Sequence, residues 1–494
     1  MDLFSNLTLG FTIAFTPFNL LMAFLGVILG TLIGALPGIG PVSGVALLLP
    51  ITFGMHPTSG IIMLAALYAG SMYGGTITSV LINTPGESAS VVTCIDGYQM
   101  ALQGRAGPAL GMAAFGSFIA GTVGVVFLMG MSPLLARWAL SFGPAETFAL
   151  MLLGLTTVTG LTGDNAVKGY ISMVLGLMMS MVGFDIISGD QRYTGGITEM
   201  LDGFDFLPVA IGLFGMGEVL AGAEDASRAE ILSARYGLRD VLPTAADWMR
   251  SRWAIVRGTV LGFVIGVLPG AGPTIASFLA YTVEKKVSAR PEEFGRGAIE
   301  GVAAPESANN AAAAGAMVPM LSLGVPGSGT TAIILGALIM FGIRPGPELF
   351  TRNAELVWAV IASMYIGNVI LLVLNLPLAG LFARLLKIPY RWLYPPILAL
   401  CIAGVYSQAN SLEDCGLLVG FGILGWLMKR YDWSMAPMIL GLVLGPIFES
   451  ALRQSLTLSH GSAAIFFTRP ISAALLAFAL VAVFAPLLFR KRAS

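Results

Sequence analysis

Apolar residues run through this chain in blocks of roughly helix length, separated by short polar stretches. Blocks near 58–82, 107–135, 145–162, 168–184, 206–222, 298–342, 355–382, 393–407, 415–428, 433–449 and 472–489 predict about 11 membrane crossings. The stretches near 18–55 and 254–284 read differently. Each divides into two apolar arms of about 10–18 residues, short for a span, that meet at Pro-Gly-x-Gly-Pro. That pattern predicts two re-entrant hairpins, since irregular backbone at membrane depth survives only where protein or a cavity shields it. Residues 1–17 fit either a further span or an interfacial segment.

The pattern occurs twice. Gly30-Thr-Leu-Ile-Gly34-Ala-Leu-Pro37-Gly38-Ile-Gly40-Pro41 returns 232 residues later as Gly262-Phe-Val-Ile-Gly266-Val-Leu-Pro269-Gly270-Ala-Gly272-Pro273. Thr84-Pro85-Gly86-Glu87-Ser88 answers to Val325-Pro326-Gly327-Ser328-Gly329 at an offset of 241. Gly169–Asp185 answers to Gly416–Asp432, and Leu207–Gly212 to Ala436–Gly441. Ordered matches with drifting offsets indicate an internal duplication. The expected organisation is a first repeat over 1–223, a cytoplasmic linker over 224–253, a second repeat over 254–452 and an extra transmembrane helix over 453–494. Paired glycine–proline breaks in two halves of a membrane protein point to a transporter's binding site.

Composition agrees with the class. Hydrophobic residues make up 56% and charged residues 11%, against about 45–50% and 25% in soluble domains. A net charge of −1 gives no reason to expect nucleic acid. Cys94, Cys401 and Cys415 lack CxxC spacing, so no disulfide framework is implied. The N-terminus shows neither a basic n-region nor a small-residue cleavage site, so no signal peptide is expected.

Charge sets the orientation. With Arg490-Lys491-Arg492 in the cytoplasm, 20 of the 26 Lys and Arg residues fall inside, leaving Arg137, Arg192, Arg344, Arg352, Arg453 and Arg469 outside. Five crossings per repeat, an odd number, make the repeats inverted. The expected fold is therefore an all-α polytopic membrane protein of two inverted repeats. It has two re-entrant hairpins whose tips meet near the midplane, and two broken helices.

The candidate chemistry lies at the breaks. A Pro-Gly-x-Gly-Pro tip exposes N–H groups at the start of its second arm, where the positive dipole end suits a carboxylate. Gly38, Gly40, Pro41 and Ser43 at the first tip, and Gly270, Gly272, Pro273 and Thr274 at the second, are the expected substrate contacts. Gly30 and Gly34 read instead as close packing. The broken helices run through Asn83-Thr84-Pro85-Gly86-Glu87-Ser88 and Val325-Pro326-Gly327-Ser328-Gly329-Thr330. Their carbonyls, amide and hydroxyls are hard oxygen ligands, so Asn83, Thr84, Gly86, Glu87, Val325, Gly327 and Ser328 are expected around a cation. Ser88, Gly329 and Thr330 are expected toward the substrate. Glu87 reads equally as a cation ligand or as a residue of a helix's first turn. Pro305-Glu306 resembles a helix start, so Glu306 reads as structural, whereas Asn309 and Asn310 are expected to reach the ligand.

Several of these motifs together resemble a known family. Tyr73-Gly-Gly-Thr-Ile-Thr-Ser-Val-Leu-Ile-Asn-Thr-Pro-Gly-Glu-Ser88, followed by Asp96-Gly-Tyr-Gln-Met-Ala-Leu-Gln-Gly-Arg105-Ala-Gly, is similar to the large membrane subunit of tripartite tricarboxylate transporters. Gly297–Ala311 and Leu323–Thr331 resemble that family's second-half signatures. The resemblance covers nearly the whole chain. It implies uptake of small-molecule carboxylates across a bacterial inner membrane, coupled to a sodium or proton gradient, with no other cofactor. It also implies a periplasmic solute-binding protein, a small integral membrane subunit and elevator-like movement. Two other classes compete. An enzyme would need a nucleophile–base pair or a metal cluster, and His56 and His460 supply neither. A passive anion channel fits glycine-rich broken helices but predicts no coupling ion.

Overall fold

A computed structural model describes residues 3–36, 39–156, 166–185, 188–224, 238–270, 272–385 and 390–490. The described chain is helical almost throughout. The first half holds α1 (Leu3–Ala14), α2 (Pro17–Ala35), α3 (Gly40–Thr52), α4 (Pro57–Ile82), α5 (Val91–Leu102), α6 (Ala106–Ala139), α7 (Pro144–Thr156) and α8 (Ala166–Ser180). After a two-stranded antiparallel ribbon (Gly183–Phe184 with Gln191–Arg192) come α9 (Phe206–Ala210) and α10 (Gly217–Glu224), joined by a π-helical turn over Ile211–Met216. The second half holds α11 (Leu238–Val241), α12 (Ala245–Val267), α13 (Gly272–Val287), α14 (Glu300–Leu323), α15 (Gly329–Met340), α16 (Leu349–Arg352) and α17 (Ala354–Leu385). It ends with α18 (Tyr390–Ala409), α19 (Leu412–Arg430), α20 (Ala436–Leu458), α21 (Ile465–Thr468) and α22 (Pro470–Arg490).

Six of these helical stretches are long and apolar enough to cross a bilayer: Pro17–Ala35, Pro57–Ile82, Ala106–Ala139, Phe206–Ala223, Ala354–Pro377 and Ala436–Leu458. The chain is thus a multi-pass, all-α membrane protein. Its periphery is apolar, as a lipid-facing surface requires. Met249, Trp253, Val256, Val260 and Val264 form one exposed stripe at helical spacing along α12.

At the centre lie α4 and α14. Every residue of α4 but Pro57 and Ala69 is buried, and every residue of α14 but Leu323. Each central helix carries a partner pressed against it through glycines. A Cβ on Gly26, Gly30 or Gly34 of α2 would run into the carbonyl oxygens of Met63, Leu67 and Ser71 on α4. A Cβ on Gly258, Gly262 or Gly266 of α12 would run into those of Ala304, Ala308 and Ala312 on α14. The second set of pairs is the first moved by 232 residues on the outer helix and 241 on the central one (30 to 262, 67 to 308). The return contact repeats too, Gly74 against Thr31 and Gly315 against Phe263. Without side chains the backbones approach closely, as in small-xxx-small packing.

Two expectations about the hairpins change. The first arms, α2 and α12, contain 19 and 23 residues and exceed the expected 10–18, whereas α3 and α13 contain 13 and 16. Three glycines hold the C-terminal half of each first arm against a central helix, and the arm continues outward from there. Moreover, α12 begins at Ala245, inside the stretch read as linker, because Thr244 and Asp247 close a capping box there. Residues 225–237 of that linker, and Lys491 and Arg492, lie outside the described residues.

Candidate functional site

Both central helices stop in the same way. α4 ends on Asn83 in the left-handed region (φ 53°), and α14 ends on Gly324 (φ 72°). The next amides bond back to matching carbonyls, Thr84 N–H to Thr78 O (3.4 Å) and Val325 N–H to Pro319 O (3.2 Å). These left-handed closures satisfy late carbonyls of a helix that Pro85 or Pro326 cannot continue. Gly86 and Gly327 then pass so close to Gly75 and Ala316 that a Cβ on either would come within 2.6 Å of the facing Cα.

The chain restarts alike on the far side. Glu87 (φ −145°, ψ 167°) and Ser328 (φ −152°, ψ 167°) occupy the same extended backbone position. Glu87 N–H donates to Ser90 Oγ (3.4 Å), and Ser328 N–H donates to Thr331 Oγ1 (2.8 Å). Thr331 N–H also donates to Ser328 Oγ (3.3 Å), which caps α15.

Around these breaks the structure gathers part of the expected set. Gly272, at φ 60° the start of α13, faces Ser328, with a virtual Cβ 3.6 Å from the Ser328 Cβ. Its counterpart Gly40, at φ 63°, starts α3 and faces open space within 4 Å. Two residues on, Val42 abuts Gly329, so α3 reaches the second break. Pro41, Ser43, Pro273 and Thr330 are buried. The Thr274 carbonyl accepts from Ser277 Oγ (2.9 Å) and Gly270 is left-handed (φ 76°). Ser88 and Asn83 are exposed at the rim of the first break, beside the half-buried Thr84, while Val325 is buried. Gly38 lies outside the described residues.

Asn309 and Asn310 are buried in mid-α14. Asn310 Nδ2 lies 2.6 Å from Asn309 Oδ1, 2.8 Å from Ser117 Oγ and 3.0 Å from the Glu306 carbonyl. Asn310 also lines a small cavity with Tyr68 and Asn368. Tyr68 Oη meets Ser328 Oγ at 3.2 Å, so a side chain of α4 in the first half touches the second break. Glu87 Oε1 is buried and accepts no hydrogen bond.

Glu306 is not in a first helical turn. α14 begins six residues earlier, at Glu300, and Glu306 is fully buried. Its carboxylate accepts from Thr76 Oγ1 (2.6 Å) on α4, from Thr93 Oγ1 (2.5 Å) on α5 and from Asn309 Nδ2 (3.4 Å). One carboxylate thus joins both limbs around the first break to the second half. The reading of Pro305-Glu306 as a helix start failed because the helix is started from elsewhere. Asp96, with no exposed surface, accepts on Oδ1 from the amides of Gly295 (2.8 Å), Gly297 (2.8 Å) and Ala298 (2.9 Å). Tyr281 Oη donates to Oδ2 (2.9 Å). Asp96 therefore supplies the acceptor at the N-terminal approach to α14. In the sequence Asp96 stands out only as the first residue of the second stretch that carries the family resemblance, with no role attached to it.

Further out, ion pairs bind the arms of the second hairpin to their surroundings. Arg257 forks onto Glu284, joining α12 to α13, and Arg250 does the same to Glu300 while reaching Glu293. Arg105 meets Asp247 at 2.6 Å.

Paired broken helices are thus flanked by the glycine-bearing starts of α3 and α13. A family model described as the tripartite tricarboxylate transporter TctA family matches residues 20–440. The chain belongs to this family. As a TctA family member it is a subunit of a tricarboxylate transporter, a system that works with other subunits. An Agrobacterium vitis protein named "Uncharacterized 52.8 kDa protein in TAR-I ttuC' 3'region" is 48% identical over 488 residues, 99% of this chain and 97% of that one. A second from the same organism, "Uncharacterized protein in TAR-II ttuC' 3'region", is 49% identical over 227 residues, 46% of this chain and 94% of its own.

Proposed function

We propose that this TctA family chain is the permease of a secondary transporter that imports di- or tricarboxylates across a bacterial inner membrane. A periplasmic solute-binding protein delivers the substrate, and a small integral membrane subunit completes the complex. A sodium or proton gradient drives uptake, and the C-terminus lies in the cytoplasm. The two halves act as inverted repeats, the two hairpins are re-entrant, and the broken-helix core moves in an elevator-like manner. The carrying observation is the matched pair of breaks at Asn83–Glu87 and Gly324–Ser328, closed and restarted with the same hydrogen bonds.

Such breaks place helix N-termini, hydroxyls and carbonyls in an otherwise apolar interior, where a carboxylate and a compensating cation bind without a fixed counter-charge. A passive anion channel would need a continuous aqueous path, and the near-complete burial of α4 and α14 disfavours one. Counterflow separates the two readings. Vesicles holding the transporter and loaded with unlabelled citrate should transiently accumulate labelled citrate, whereas equilibration without overshoot contradicts a carrier.

A further inference from the structure

The two breaks share a backbone but not a chemistry. At the shared offset of 241, Ser328 stands where Glu87 does, Thr331 where Ser90 does, and Asn309 where Tyr68 does. Tyr68 meets Ser328 at the second break, whereas Asn309 in the matching position donates to Glu306 beside the first. The surrounding polar groups do not repeat. Glu306, Thr76 and Thr93, joined by hydrogen bonds beside the first break, correspond to Ala65, Met317 and Ile334 in the other half. Ala65 and Met317 line the small cavity that Tyr68 also borders. One break thus has two acids close by, and its twin has none of the corresponding ones.

We propose that the core binds one monovalent cation, at the first break only, with Glu87 Oε1 as its charged ligand. The neutral second break, with Ser328, Thr331 and Tyr68, takes the substrate carboxylate. This rests on the carrier reading above and divides its site in two. The buried Oε1 of Glu87 accepts no hydrogen bond, although the same side chain takes the Ser90 N–H in a capping box, so one carboxyl oxygen is left open to a cation. Every Glu306 oxygen is already occupied by a hydroxyl or amide. Glu306 therefore adds negative field without competing for the ion, and two acids near one site favour a cation there. A cation at Ser328 would lack a carboxylate in this position and would lie where an anion finds two hydroxyls and a helix N-terminus. Sodium and a proton both supply the single charge; the titratable groups sharing the field of Glu87 are Glu306 and Tyr68.

The test is sodium binding to the purified full chain, followed by thermal unfolding, with choline chloride holding ionic strength constant. Wild type should show a Hill coefficient of about 1. Glu87→Gln should weaken the sodium response at least about tenfold, while Ser328→Ala leaves it within about twofold. Citrate binding measured in saturating sodium should show the reverse order. If sodium has no effect but acidification stabilises the protein and Glu87→Gln removes that response, the cation is the proton and the division stands. A wild-type Hill coefficient near 2, equal sodium loss in both variants, or no response to either cation would overturn it. Should Glu87→Gln fail to fold, Glu87→Asp and the wild-type isotherm decide. Binding requires no transport, so failed counterflow with intact single-site binding would sink the carrier reading alone.

Discussion

The Tyr68 hydroxyl on α4 lies 3.2 Å from the Ser328 hydroxyl that caps α15, so the first half of the chain touches the break in the second. Ser328 keeps its backbone position without Tyr68, because Thr331 closes the capping box independently. Tyr68→Phe should therefore leave the protein folded and raise the KM for carboxylate uptake about 2- to 10-fold, the effect of one lost hydrogen bond. Unchanged uptake kinetics would remove the contact from the site.

Glycine spacing alone does not reveal a packed face. Gly30 and Gly34 on α2, and Gly416 and Gly420 on α19, both read Gly-x-x-x-Gly, but a Cβ at the second pair meets nothing within 4 Å. Gly30→Leu should push α2 off α4 and cost about 1–3 kcal/mol or more. Gly416→Leu should stay within about 0.5 kcal/mol of wild type. Thermal unfolding in detergent compares the two directly.

Asp96 should be the least replaceable polar residue outside the breaks. Asp96→Asn keeps the size but turns a charged acceptor of four hydrogen bonds into a neutral group. A loss of about 2–3 kcal/mol is expected, the scale of a hydrogen bond to a charged group. An unfolding temperature equal to wild type would show that another group anchors the start of α14.

Asp247, at the polar N-terminal end of α12, gives a pH signature. Burial pushes its carboxyl up, but the Thr244 hydroxyl and amide and the Arg105 guanidinium outweigh this and hold it below the usual carboxylate range. A carboxylate depressed in the folded state stabilises above its unfolded value of about 3.9 and loses that contribution as pH falls through the folded value. Asp247→Asn should therefore flatten the fall in stability below about pH 4, with little effect on its shape near neutrality. An unaltered acid limb would contradict the pairing.

What the sequence made legible was local. The two helix breaks, their mutual correspondence and the packing role of Gly30 and Gly34 follow from glycine and proline, whose backbone consequences hold in any context. What it hid was non-local. Pro305-Glu306 looks like a helix start until Asp96, about 200 residues away, is seen to organise the real one. Likewise, the central helices that hold the C-terminal halves of α2 and α12 are contained in no window on the arms themselves.

The proposed transport moves cation and carboxylate together through the broken-helix core. Its most direct test is labelled citrate uptake into vesicles holding the complete transporter, with sodium and pH gradients imposed one at a time. Accumulation above the external concentration is expected under one of the two gradients, and it should be lost in Glu87→Gln. Uptake that only equilibrates under both gradients, or gradient-driven accumulation that survives in a folded Glu87→Gln protein, would contradict it.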